Sequence, residues 1–372
     1  MEARQRLVSL DIFRGLTIAA MILVNNPGSW STVYPPLLHA DWHGVTPTDW
    51  IFPNFLFIVG VAIALAIGQR RERGADRRAL IRKILWRTLL IFAIGVFLNG
   101  FPYFRLGSIR IPGVLQRIAL VYGAAALLFV YCTPRQLFWV AVGCLLGYWA
   151  LMSLVPVPGG FPPNLDPETN LGAWLDRLLL NGHLWSQSKT WDPEGLLSTL
   201  PAVATGLSGV LTGVWLRTEK GHFEKVAGMM VIGAILLALS FIWDLAFPIN
   251  KKLWTSSYVL YTSGVALLML GSIYWLVDIK ESRWWTKPFV VYGMNALFVY
   301  VLSVFIAKAG YLITWTASDG STQTLQGWLW ESVCRPMFNS PYDASLAYAL
   351  TNVTVCLAVA WILYWRRIFI RI

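Results

Sequence analysis

Charge is what this 372-residue chain has little of: Asp, Glu, Lys and Arg make up 13% of it, where a soluble domain carries about a quarter. With 56% hydrophobic residues and a mean hydropathy of +0.57, that scarcity excludes a disordered chain, a fibre and an ordinary soluble domain. Acid is scarcer than base, 19 residues against 30, for a formal charge of +11. In so apolar a chain this excess is a topology signal before it is a nucleic-acid signal, and no nucleic-acid partner is expected. Cysteine is scarce too. Cys132, Cys144 and Cys356 lie in apolar runs and Cys334 stands alone in a loop, so neither a CxxC metal or redox spacing nor a disulfide framework can be built.

Long apolar runs are what the chain has instead. A spanning helix needs about 20 mostly apolar residues, and such runs occur near 11–30, 49–69, 84–100, 112–131, 135–155, 195–216, 226–247, 253–277, 288–306 and 345–365. The expectation is an all-α polytopic membrane protein with about ten transmembrane helices. With both termini placed in the cytoplasm, 20 of the 30 basic residues fall on that side and 8 on the other, Arg14 and Arg117 lying in or at the ends of spans. Arg4 and Arg6 precede the first run, but Asp11 and Arg14 interrupt any signal-type apolar core, so the run is read as a retained helix. Two outer loops are long, 156–194 and 307–344, and neither has the size of a soluble domain. The whole chain, 1–372, is therefore read as one transmembrane domain.

Charges at a membrane edge are costly, so each is a functional candidate. Asp11 and Arg14 are three apart on one helix face and either neutralise each other or bind a ligand. Asp49 opens the second span, where it complements the helix dipole or serves a substrate. Asp244 suits a counter-ion to Lys251 or Lys252. The densest chemistry is His39-Ala40-Asp41-Trp42-His43-Gly44, in a short outer connection that holds two of the four histidines. Histidine takes and returns a proton near neutral pH, and Asp41 is close enough in sequence to orient a ring. Two histidines four apart also suit a metal, but Gly44 and Pro47 oppose a helical face there and no third ligand is evident, so no metal is expected.

The sequence resembles the transmembrane heparan-α-glucosaminide N-acetyltransferase family, from Arg6 to about Trp365. The resemblance rests on separated motifs in one order. These are Ser9-Leu10-Asp11-Ile12-Phe13-Arg14-Gly15, Val24-Asn25, His39-Ala40-Asp41-Trp42, Asp49-Trp50-Ile51-Phe52-Pro53, Arg110-Ile111-Pro112-Gly113-Val114-Leu115-Gln116-Arg117, Asp192-Pro193-Glu194-Gly195, Asn250-Lys251-Lys252-Leu253-Trp254 and Gly293-Met294-Asn295. It implies transfer of an acetyl group from cytoplasmic acetyl-CoA, the acyl-donor cosubstrate, to the amine of a terminal glucosamine on the far side. It also places His39 and Asn25 as the family's active-site histidine and asparagine, and it is consistent with a homodimer. Two departures stand out. The chain starts at the matched part without the large lumenal region of the animal enzymes, and His43 stands where Asn is expected. A small amino sugar, or a cell-wall or lipid-linked one, is therefore the expected acceptor rather than heparan.

In that reading His39 is the general base and Asn25 donates to the oxyanion, with direct transfer in a ternary complex favoured over an acetyl-histidine. Arg14, Lys83, Arg87, Arg110, Gln116 and Arg117 are the candidates for the CoA phosphates and the route of its arm. Most of the basic run from Arg70 to Arg87 is also explained as a topology determinant on anionic lipid. Asp41, Trp42, Asp49, Asp192, Glu194, Trp254 and Asn295 are the candidate sugar contacts, with Asp192 and Glu194 equally readable as helix caps. Trp191 is a further aromatic to test. The competing function is an amino-sugar transporter, which would place its charges at the bilayer midplane rather than in an outer loop. Short outer loops and the lack of a targeting signal predict a bacterial inner membrane with His39 facing the periplasm.

Overall fold

A computed structural model describes residues 7–317 and 320–370; Arg4, Arg6 and Arg371, three of the basic residues in the topology count, lie outside the described residues. Each of the ten expected spans is helical. Eight described helices are individually long and apolar enough to cross a membrane. A ninth candidate is a pair, Lys287–Met294 and Ala296–Leu312, bent by 86° at Asn295. The expected third span lies in a 24-residue helix, Arg77–Gly100, which is not among those eight. The chain divides into two compact units, residues 7–39, 46–52 and 273–370 in one and 40–45 and 53–272 in the other.

The first unit is built on α1 (Val8–Asn25), which begins the chain's helices and packs against α10 (Lys287–Met294) and α13 (Pro341–Trp365). Glycine makes the first of these crossings possible, because a Cβ on Gly15 would overlap the Phe289 carbonyl and one on Gly293 would overlap that of Asp11. The break between α10 and α11 (Ala296–Leu312) is held by Asn295, 1% exposed, whose Nδ2 donates to Ile368 O at 3.1 Å while its Oδ1 accepts from Ile370 N at 2.9 Å. After α11 come a short antiparallel hairpin, β1 (Thr314–Thr316) and β2 (Thr322–Thr324), and the single turn α12 (Leu325–Trp328).

The second unit holds most of α2 (Ile51–Glu72), then α3 (Arg77–Gly100), α4 (Val114–Tyr131), α5 (Pro134–Leu154), α6 (Leu171–Leu180), α7 (Thr199–Leu216), α8 (His222–Asp244) and most of α9 (Ser256–Tyr274). Helix starts follow the sequence. Asp76 accepts from Ala79 N at 2.9 Å, and Asn170 accepts from Ala173 N at 2.9 Å. Thr133 and Gln136 form a reciprocal capping box ahead of Pro134. Ile63, Ile67, Ile84, Tyr122, Phe129, Leu207 and Val210 form a core among α2, α3, α4 and α7. The outer loop 156–194 carries α6, a short amphipathic helix that buries Ala173 and Asp176.

Candidate active site

Thr46, Pro47 and Asp49 set the local geometry of the first unit's site. Proline at the first position of the turn Pro47–Trp50 fixes its backbone, and Thr46 with Asp49 three residues on makes a capping box. Asp49 Oδ2 accepts from Thr46 N at 2.9 Å, and the Thr46 hydroxyl lies 3.1 Å from the same oxygen and 2.6 Å from Leu38 O. Thr48 Oγ1 adds a bond to Pro36 O at 3.1 Å. Two hydroxyls thus tie the chain just before His39 to the turn that carries Asp49.

The consequence is a histidine–carboxylate pair. His39 Nδ1 stands 2.7 Å from Asp49 Oδ1, with the Asp49 side chain 1% exposed and that of His39 44% exposed. A carboxylate accepts, so Nδ1 carries the hydrogen and the neutral ring's lone pair is on Nε2. The acid on His39 is therefore Asp49, ten residues away, and not Asp41. Asp41 belongs to the second unit, where its carbonyl accepts from Lys252 Nζ. Asn25 is the last residue of α1, exposed, and its amide has no hydrogen-bond partner among the described residues. Arg14 Nη1 is 3.3 Å from Asp11 Oδ1 and donates to Gly293 O at 3.1 Å, so the pair on this helix face also braces the α1–α10 crossing.

In the second unit the structure gathers Arg110, Asp192 and Glu194 into one cluster. Arg110 Nε and Nη2 reach Asp192 at 2.8 and 2.5 Å, and Nη2 reaches Glu194 at 2.6 Å. Burial alone would lower the Arg110 guanidinium. The hydrogen bonds it donates to Asp192 and the charges of Glu194 and Asp192 outweigh it and hold the group above its ordinary value. Asp176 lies alongside, 3% exposed, accepting from Leu196 N at 2.9 Å and from Asp192 N at 3.3 Å. Its burial pushes its carboxyl up to about 6, helped by the charge of Asp192 and opposed by the two amides and Arg117. Arg117, 1% exposed, donates from Nη2 to Gly195 O at 2.8 Å and to Ser198 Oγ at 2.5 Å, while its Nε and Nη1 and the Nε2 of buried Gln116 have no partner among the described residues.

The expected contacts thus separate. Arg110, named for CoA, is engaged by Asp192 and Glu194, which are neither open sugar contacts nor simple caps. Trp254 offers no stacking face: it is 1% exposed, its Nε1 donates to Thr205 Oγ1, Tyr258 meets it edge-on at 5.3 Å, and the Arg117 guanidinium lies 5.1 Å from its ring centroid. Asn295 has both ends of its amide on the chain after α13. Asp244 accepts from Ile249 N at 2.6 Å. Trp42 donates to Leu165 O and packs edge-on against Trp191 at 5.3 Å, with Lys252 Nζ 5.9 Å from its ring centroid. Lys83 is exposed and Arg87 lies over Tyr122. Among the described residues no three His, Cys, Asp or Glu side chains converge as metal ligands would.

Residues 6–182 match the family profile described as heparan-alpha-glucosaminide N-acetyltransferase, catalytic. The Homo sapiens protein named heparan-alpha-glucosaminide N-acetyltransferase is 30% identical over 422 aligned residues, covering 99% of this chain and 60% of that protein. The chain is thus similar to this family over nearly its whole length. The Mus musculus protein of the same name is 32% identical over 355 residues, 81% of this chain and 53% of its own length. The chain thus spans little more than half the length of these N-acetyltransferases. Asn25, His39, Asp49, Arg110, Gln116, Arg117 and Asp176 fall inside the matched 6–182, whereas Asp192, Glu194, Trp254 and Asn295 lie beyond it.

Two features escape a reading of the sequence. The His39–Asp49 pairing had a signal in Thr46-Pro47-Thr48-Asp49, whose spacing is that of a capping box and so of an acid folded back on its own turn. Asp176 had almost none, since an acid on a ten-residue amphipathic helix reads as solvent-facing until the segment 192–196 is laid over it.

Proposed function

We propose that this protein is a membrane-embedded N-acetyltransferase that moves an acetyl group from acetyl-CoA to the amine of a glucosamine-type sugar, with His39 as the base and Asp49 as the residue that positions it. The observation that carries the reading is the pair itself: a half-exposed imidazole held at Nδ1 by a buried carboxylate, 2.7 Å apart, the arrangement general acid–base chemistry requires. The names of the relatives supply the reaction class. Ten spans, both termini on the more basic side and His39 facing the opposite side belong to the same proposal, supported by the division of 20 basic residues against 8.

His39 Nε2 takes the proton from the acceptor amine as the new C–N bond forms at the acetyl carbon. The imidazolium, stabilised by Asp49, returns that proton to the departing sulfur as the C–S bond breaks. Asn25 donates its amide to the oxygen that gains charge, a contact whose loss costs about 10²–10³ in rate. Acetyl-CoA, when bound, supplies the activated acyl group. Gln116 Nε2 and Arg117 Nε and Nη1 fit an oxygen-rich donor, because buried donors without a protein acceptor are satisfied by a ligand or by water. Arg14, Lys83 and Arg87 remain the proposed phosphate contacts.

The test is acetyl-CoA-dependent acetylation of glucosamine and related amino sugars by the purified chain in detergent, read by mass spectrometry beside His39→Ala. Product from the parent and none from a folded His39→Ala is expected. No acetylated product, together with N-acetylglucosamine crossing proteoliposomes, would replace the enzyme with a carrier.

A further inference from the structure

Helix α3 has two unlike faces. Leu80, Ile84, Ile91, Gly95 and Leu98 are buried within the second unit. On another face Arg78, Arg82, Leu85, Trp86 and Leu89, with Ile81, line an open groove of about 490 Å³. The spacing of those residues, four, three, one and three apart, keeps them on one side of the helix and orders them along it, cations first and apolar groups after. From Arg82 to Leu89 the rise is about 10 Å, the depth over which a headgroup gives way to hydrocarbon. Leu85, Trp86 and Leu89 are 52%, 64% and 60% exposed.

The cations of the groove differ from three of their neighbours in the same basic run. Arg71 donates to Phe129 O at 3.0 Å, Arg77 lies 3.8 Å from the Tyr131 ring centroid and Arg87 lies over Tyr122 at 5.0 Å. Arg78 and Arg82 have no hydrogen-bond or ring partner among the described residues, and α3 carries no Asp or Glu along its 24 residues. A general topology signal needs only positive charge near the membrane. It does not need two guanidiniums, which match phosphate oxygens in pairs, at the head of an apolar groove.

We propose that this groove binds one anionic glycerophospholipid, its phosphate between Arg78 and Arg82 and an acyl chain along Leu85, Trp86 and Leu89. The site shares no residue with the proposed acetyl-transfer machinery, whose Lys83 and Arg87 lie beside it on α3, and does not depend on that reading. The occupant is set by charge complementarity at one end and by apolar exposure at the other: a soluble phosphate would satisfy the arginines and leave Trp86 in water, and a zwitterionic lipid would bring its own cation to them.

The experiment is native mass spectrometry of the full chain released from nanodiscs holding equal amounts of phosphatidylglycerol and phosphatidylcholine. One retained phosphatidylglycerol in excess over phosphatidylcholine is expected. Arg78→Ala/Arg82→Ala should lower that retention by roughly thirtyfold, a factor of about five for each charge near the surface. Arg78→Lys/Arg82→Lys, which keeps both charges but loses the paired donors, should lower it several-fold but by less than the alanine pair, and Trp86→Ala should weaken it with both arginines in place. Should the double alanine variant misfold, as read by its melting temperature, the lysine and Trp86→Ala variants carry the test alone. Equal retention of the two lipids, retention indifferent to all three variants, displacement by inorganic phosphate, or a two-chain mass lost in Trp86→Ala would each overturn the proposal, the last in favour of a second copy of this chain.

Discussion

Asp49 and Asp192 are both shielded from solvent, at 0% and 4% exposure, but they are answered by different cations. Asp49 faces a histidine whose side chain is 44% exposed. Asp192 faces Arg110, which also holds Glu194. An imidazole gains and loses a proton near neutral pH at little cost, whereas a guanidinium stays charged under all working conditions. The first unit's pair therefore suits the proposed acid–base role, and the second unit's cluster suits a fixed charge. The proposed division of labour, chemistry at His39 and rigidity at Arg110, can be broken by substituting each in turn.

The largest effect is expected at His39. His39→Ala should lower acetyl transfer by about 10²–10⁴-fold with a smaller effect on the melting temperature than Arg110→Ala, because the ring is 44% exposed and Asp49 keeps its contacts with Thr46 N and Oγ1. Asp49→Asn should fall in a similar range, since an amide no longer fixes the Nδ1–H tautomer. A circular-dichroism melt beside the acetylation assay separates the two readouts, and a variant that loses activity only by unfolding would erase the contrast with Arg110.

At Arg110 the order reverses. Arg110→Ala leaves Asp192 buried and uncompensated, an outcome that costs roughly 3–5 kcal/mol in a fully buried pair. With the arginine side chain 24% exposed, about 3 kcal/mol is expected, seen as a lower melting temperature in detergent. Residual activity per folded molecule should stay within a few-fold of the parent. A stable Arg110→Ala with activity gone would move Arg110 from the scaffold to the substrate.

How much of this was legible beforehand depends on the range of the interaction. Each apolar run became helical, the run 288–306 as two helices broken at Asn295, because hydropathy and caps are local: Asp76, Thr133 and Asn170 start helices where their sequence neighbours say they should. His39 was marked by composition and by family resemblance, but its partner was not, because Asp41 is nearer along the chain and only the fold of Thr46–Asp49 brings the other acid to 2.7 Å. Trp254 looked like a sugar platform until Thr205 and Arg117, 49 and 137 positions away in sequence, were seen to enclose it. The Arg110 cluster joins residues 82 and 84 apart, a separation at which sequence carries charge but no pairing.

Asp176 sharpens the comparison from within the scaffold. Its carboxyl, raised to about 6 from 3.8 by burial, binds a proton in the folded chain that the unfolded chain has already released. Stability from this group is therefore full below its ordinary value of 3.8 and is lost as pH rises through about 6, by roughly 2–3 kcal/mol across that window. Asp176→Asn keeps an oxygen for Leu196 N and removes the charge beside Asp192. The pH dependence of the melting temperature between pH 4 and pH 7 should flatten in this variant; an unchanged slope would place the titrating group elsewhere.

Thr46 tests whether the pair at His39 is held by its turn or merely found beside it. Its amide and hydroxyl both meet Asp49 Oδ2, and the hydroxyl also meets Leu38 O. Thr46→Val keeps the shape and the amide but removes the hydroxyl, so the cap should weaken by about 1 kcal/mol. If the turn positions the carboxylate, the loss should appear as a few-fold drop in kcat with KM for the sugar little changed, and Thr46→Ser should restore it. A drop confined to stability, with kcat untouched, would mean that Asp49 finds His39 without help from the turn.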